Sequence, residues 1–94
     1  MEIVLNGKKF TALRIKTRAL RQAIAINEKI DFENLKVKDL DELVAFVCDI
    51  YGNKFTLDQF YDGLDADKLT DTLSNAINGI INPATDTLNK FPNK

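Results

Sequence analysis

Ile3 and Leu5 alternate on one face of an extended stretch, Glu2 to Leu5, ahead of Asn6-Gly7, and a second extended stretch, Lys8 to Ile15, follows. Asn-Gly is the strongest short-range hairpin signal, because both residues tolerate the positive φ of a type I′ turn. The pattern predicts an antiparallel hairpin pairing 2–5 with 8–15. A lone hairpin is marginal in water, so it must pack on other elements. From Thr17 the apolar period lengthens to that of a helix. Ala19, Leu20, Ala23, Ile24 and Asn27 share a face, and the Thr17 hydroxyl is placed to cap a helix over 18–29. Residues 31–37 read as a connector with a short turn around Phe32 and Leu35.

Asp39 with Glu42 makes a capping-box-like start for a helix over 40–51, ended by Gly52 and Asn53. Its apolar set, Leu40, Leu43 to Cys48, Ile50 and Tyr51, spans about 200° of circumference, wider than one packing face needs. Such a helix is either central to the fold or also touches another chain. Thr56 and Gln59 form a second capping box, with Phe55 and Phe60 at the two positions of a hydrophobic staple, predicting a helix over 57–62 that stops at Gly63. Leu64-Asp65 repeats the device, with Asp65 as cap and Leu64 stapling to Leu69. Leu69, Leu73, Ala76, Ile77 and Ile80 then mark a helix over 66–81, bounded by Pro83. Residues 83–94 are polar and read as a flexible tail, with room for a short helix through Leu88. The expected fold is α+β and mainly α: an N-terminal β-hairpin packed on three to four helices, in one globular domain over 1–82.

Length and composition agree with one ordinary domain: 94 residues, 45% hydrophobic and 29% charged. No apolar run approaches the roughly 18 residues of a membrane span, and Met1 to Gly7 has neither the basic leader nor the apolar region of a signal peptide. The single Cys48 has no internal disulfide partner, which fits a reducing compartment. Absence of histidine removes Ser-His and Cys-His dyads and His-ligated metals; a lone cysteine removes zinc ribbons. The acidic stretch Asp58, Asp62, Gly63, Asp65, Asp67 suggests a calcium loop. Aligning Gly63 with the loop glycine puts Phe60 at the third position and Leu69 at the twelfth, so two ligand positions fail. Acidic residues at helix N-termini explain Asp58, Asp65 and Asp67. Asp41 and Glu42 are adjacent on a helix and point apart, which makes them poor general acid/base partners. No enzyme activity, metal or cofactor is expected.

Charge is uneven along the chain. Residues 1–38 carry nine Lys or Arg against four Asp or Glu, whereas residues 39–94 carry four against ten. The basic set Lys8, Lys9, Arg14, Lys16, Arg18 and Arg21 suggests a nucleic-acid arm. The competing reading is that the two halves face each other, within one molecule or between neighbours in an oligomer. A pI near 5.3 opposes a phosphate-binding surface. For a protein partner the best candidates are Phe46, on the flank of the wide stripe, with Tyr51, Phe55, Phe60, Tyr61 and Leu64 around two helix boundaries. Staple and core packing compete for the same residues.

The opening Glu2-Ile3-Val4-Leu5-Asn6-Gly7-Lys8-Lys9-Phe10, the helix start Thr17-Arg18-Ala19-Leu20-Arg21, and the run from Leu40 to Leu69 stand in a definite order and spacing. Together they cover roughly residues 1–80. The pattern resembles the small tail assembly chaperones of long-tailed phages and prophages of Gram-positive hosts. That resemblance implies a non-enzymatic protein in the host cytoplasm, absent from the finished tail. Its implied partner is the tape measure protein, a long aggregation-prone chain kept soluble while tail tube subunits polymerise around it. It further implies homo-oligomers and, in many relatives, a longer frameshifted form whose extension engages the tube protein. A small helical protein with a wide apolar stripe would stack along an extended helical client, summing many weak contacts. A nucleic-acid-binding regulator and a structural component of the particle are the alternatives.

Overall fold

The computed structural model describes residues 1–12 and 14–89. Two strands, β1 (Glu2–Leu5) and β2 (Lys8–Thr11), are followed by α1 (Thr17–Lys29), α2 (Val37–Ile50), α3 (Leu57–Gly63), a 3-10 turn over Ala66–Lys68, and α4 (Leu69–Asn89). The fold is α+β and mainly α, a two-stranded antiparallel hairpin set on four helices.

Asn6 and Gly7 take φ of 53° and 81°, the type I′ turn their side chains favour. The register pairs Leu5 with Lys8 and Ile3 with Phe10. Ile3 and Leu5 point inward and are buried, while Val4 on the opposite face is 53% exposed. β2 ends at Thr11 rather than 15, because the register brings Ala12 opposite Met1 and leaves later residues no partner on β1. Ala12 N–H donates to the Met1 carbonyl at 2.8 Å, closing the ladder.

α1 keeps its expected span, but Lys16 stands at the N-cap and no side chain caps it. Thr17 is already helical. α2 begins at Val37, three residues before the expected start, and its N-cap Lys36 has no side-chain bond either. Leu40 N–H donates to the Lys36 carbonyl, so Asp39 lies inside the first turn, where it opposes the helix dipole rather than capping. The box at α3 forms as spaced. Gln59 N–H donates to Thr56 Oγ1 at 3.1 Å, and Thr56 N–H donates to Gln59 Oε1 at 2.8 Å. Asp65 precedes a 3-10 turn and makes no capping bond, so the helix expected from 66 becomes α-helical at Leu69.

Pro83 does not bound α4, which continues to Asn89. Proline withholds one amide and crowds the carbonyl four residues back, a local cost that a helix anchored upstream can carry. The buried Leu73, Ala76, Ile77 and Ile80 supply that anchor. Residues 83–89, expected in the tail, are therefore helical; the remainder of that tail, 90–94, lies outside the described residues. α2 is the central element. Leu43, Val44, Phe46, Val47 and Cys48 are buried as α1, α3 and α4 close around it, with α1 packed extensively on α4. Most of the wide apolar stripe is covered within a single chain; Ala45 is exposed, and Leu40 and Ile50 on its flanks are half-buried.

Candidate functional site

The six candidate partner residues divide by burial. Phe46 is 5% exposed and Phe60 is 0%, and Tyr51 and Phe55 are also sealed in the core. The expectation of a ring surface around two helix boundaries is thus corrected for these four in the folded chain. α2 ends where α3 begins to fold back, so both sets of rings meet on the inner side. Phe55 is the hub. Its ring meets Phe10 edge-on at 4.9 Å, tilts against Tyr51 at 5.5 Å, and stacks with Phe60 at 6.4 Å. The Phe55–Phe60 stack is the staple predicted from the capping box, now extended by Phe10 from β2.

Tyr61 and Leu64 keep accessible surface. Leu64 is half-buried, and Tyr61 is 37% exposed, packing edge-on against Phe60 and donating its hydroxyl to Asp41 Oδ1 at 2.5 Å. Burial and then that hydrogen bond push the Tyr61 phenol up to about 12. The Tyr51 phenol is also pushed up to about 12, by burial and by the charge of Glu2. Cys48 is buried, and desolvation together with Asp49 raises its thiol, so it sits as a packed apolar group rather than a nucleophile. Among the described residues no group of His, Cys, Asp or Glu is placed to hold a metal, and no helix is long and apolar enough to cross a membrane.

The basic residues of the first third divide between the hairpin and the start of α1. Lys9 pairs with Glu2 at 3.2 Å, and Lys8 lies over the Phe10 ring at 5.3 Å. Arg14, Lys16 and Arg18 line a shallow groove that also holds Asp49 from the acidic half. Lys29 and Glu42 bridge α1 to α2 at 2.7 Å.

A larger concavity than these lies elsewhere, and the sequence pattern does not reveal it. A groove of about 510 Å³ runs beside β1, between Glu2 and Val4 on one wall and Asp62, Leu64, Asp65 and Lys68 on the other. Its closed end is the bond from Asn6 N–H to the Gly63 carbonyl, 2.8 Å. That contact needs glycine, since a Cβ at 63 would stand 3.0 Å from Leu5 Cβ and 3.2 Å from the Asn6 nitrogen. The signal was present in the hairpin itself, which leaves one edge of β1 unpaired unless another element covers it.

Against this geometry, the family described as phage tail chaperone protein matches residues 1–93. The chain belongs to that family. A tail chaperone has protein partners in tail assembly, which suits a fold with an apolar core closed inside it and an open groove on its surface. No curated protein and no solved structure matches the chain.

Proposed function

We propose that this tail chaperone binds the tape measure protein, keeps it soluble, and promotes assembly of the tail tube around it. The observation that carries this reading is the family match over almost the whole chain. The protein acts by binding, in the cytoplasm of the bacterial host, and leaves before the particle is complete. It works as an oligomer, and a longer frameshifted form brings in the tube protein.

The structure changes how the binding is pictured. A helix laid along the α2 stripe would find most of it taken by α1, α3 and α4, with only Ala45 exposed and Leu40 and Ile50 half-buried. Contacts must come from accessible groups such as Val4, Val37, Ile24 and Tyr61, each a modest apolar area. Modest contacts repeated along a long client sum by multivalency.

Co-expression with the tape measure protein tests the proposal. The expected result is movement of the client from the insoluble to the soluble fraction, with a complex recovered by size exclusion. Unchanged client solubility overturns it. Mass spectrometry of purified particles is expected to find the protein absent; a stoichiometric amount would make it a structural component.

A further inference from the structure

We infer that the groove along β1 receives an extended segment of the client polypeptide, which adds to the hairpin as a third strand beside β1. The inference rests on the chaperone reading and supplies its local contact mode.

The argument begins with hydrogen-bond parity. In an antiparallel pair, successive residues point their N–H and C=O groups alternately toward and away from the partner strand. Met1 and Ala12 exchange bonds across the hairpin, Ala12 N–H to Met1 oxygen at 2.8 Å and the Met1 amine to Ala12 oxygen at 3.4 Å. With the observed register, Ile3–Phe10 and Leu5–Lys8 are therefore the other bonded pairs, and Glu2 and Val4 direct their backbone groups to the far edge. Asn6 confirms the parity, because its N–H leaves the hairpin on that edge to reach Gly63. No described element pairs with the N–H and C=O of Glu2 and Val4; the sheet has two strands only.

An unpaired edge with two outward residues is a template for an extended backbone, not for a helix, whose own amides are already spent. The groove lies along this edge and has room beside it. Its walls favour one kind of chain. Asp62 and Asp65 line the groove beside Lys68 and the Met1 amine, while Glu2 is paired with Lys9. A segment carrying a lysine or arginine across from Asp62 and Asp65 is the complementary occupant. Asn6 on this edge is already bonded to Gly63, so only Glu2 and Val4 are left to pair and the added strand is short. A client that has not yet folded presents such extended segments; a folded protein does not. Short additions of this kind are individually weak and reversible, as release before particle completion demands.

Val4→Pro tests it in the complex with the full-length tape measure protein. Proline at 4 removes one outward donor while sparing the bonded pairs at Met1, Ile3 and Leu5, and edge positions tolerate it. The expected loss of affinity is on the order of tenfold, for one backbone hydrogen bond whose partner is left unsatisfied. Val4→Thr, which keeps the amide and gives up only part of the apolar side chain, is expected to lose much less affinity than Val4→Pro. Hydrogen exchange on the parent complex needs no variant: the Glu2 and Val4 amides should slow on client binding. A complex in which Val4→Pro binds fully and those amides exchange as in the free chain overturns the strand addition and leaves the chaperone reading standing. Failure of the parent to bind or solubilise the client overturns both. Loss of self-association in Val4→Pro with client binding intact assigns the edge to a second copy, and likewise overturns the inference.

Discussion

Truncating Phe55 separates a core ring from a contact ring. The side chain is 2% exposed and touches three other rings, Phe10, Tyr51 and Phe60. Phenylalanine-to-alanine changes in cores cost about 3–5 kcal/mol, the lost transfer energy plus the cavity left behind. Each aromatic pair adds roughly 0.5–1.5 kcal/mol beyond area, so Phe55→Ala should cost at least the middle of that range, about 4 kcal/mol. A 94-residue domain has about 5–14 kcal/mol in total. The variant therefore loses a large share of its stability, and its melting temperature should drop by roughly 15–30 °C. Urea unfolding followed by far-ultraviolet circular dichroism measures this, and the slope should match that of the parent if only stability has changed. Phe55→Leu, at about 1–1.5 kcal/mol, keeps the comparison measurable if the alanine variant unfolds. Tyr61→Phe is the contrast. It removes one partly exposed hydrogen bond to Asp41 and should cost no more than about 1 kcal/mol. A Phe55→Ala protein within about 1 kcal/mol of the parent that nonetheless lost client binding would refute the burial argument and return the ring to the surface.

Thr56→Ala should cost about 1 kcal/mol, and the further loss on adding Gln59→Ala should be close to that of Gln59→Ala alone, because each side chain bonds the other residue's backbone N–H, which alanine keeps; a urea double-mutant cycle checks the near-additivity. Gly63→Ala should destabilise by about 1–3 kcal/mol, since two of the atoms its Cβ meets are backbone. Gly79→Ala meets only the flexible end of Met1 and should be neutral or stabilising by up to about 1 kcal/mol, from helix propensity. Tyr51 and Tyr61 are uncharged when protonated, and their folded values near 12 lie above the ordinary phenol value of 10. Their contribution is fully present below pH 10 and is lost as pH rises from 10 to 12, so stability should fall across that window; tyrosinate absorbance should titrate near 12 in the native protein and near 10 after unfolding.

The signals that could be read from the chain were those in which the interacting atoms lie within a few residues of each other. Asn6-Gly7 specifies its turn through the φ its two residues accept, and Thr56 with Gln59 closes a ring of two hydrogen bonds across three residues. Helical spacing in Leu73, Ala76, Ile77 and Ile80 identified the buried face of α4. The start of α2 was misplaced because Asp39 and Glu42 have the right spacing for a box, and nothing local says that Val37 to Asp39 are already wound. Pro83 reads as a stop, yet stopping depends on how firmly the preceding turns are held, and that is a matter of what packs on them.

The partner surface shows the same division more sharply. Sequence lists which positions are apolar, and it puts Tyr51, Phe55, Phe60, Tyr61 and Leu64 around two helix boundaries, with Phe46 on the flank of the α2 stripe. Burial, however, is a relation between surfaces from distant parts of the chain. Phe10 reaches Phe55 across forty-five positions of sequence, and the Gly63 carbonyl reaches Asn6 across fifty-seven, and only the folded chain brings them together. Those two contacts close the ring cluster inside and leave the edge of β1 open outside. Which atoms remain for another polypeptide was therefore decided by tertiary packing, because accessibility is what is left after every other contact has formed.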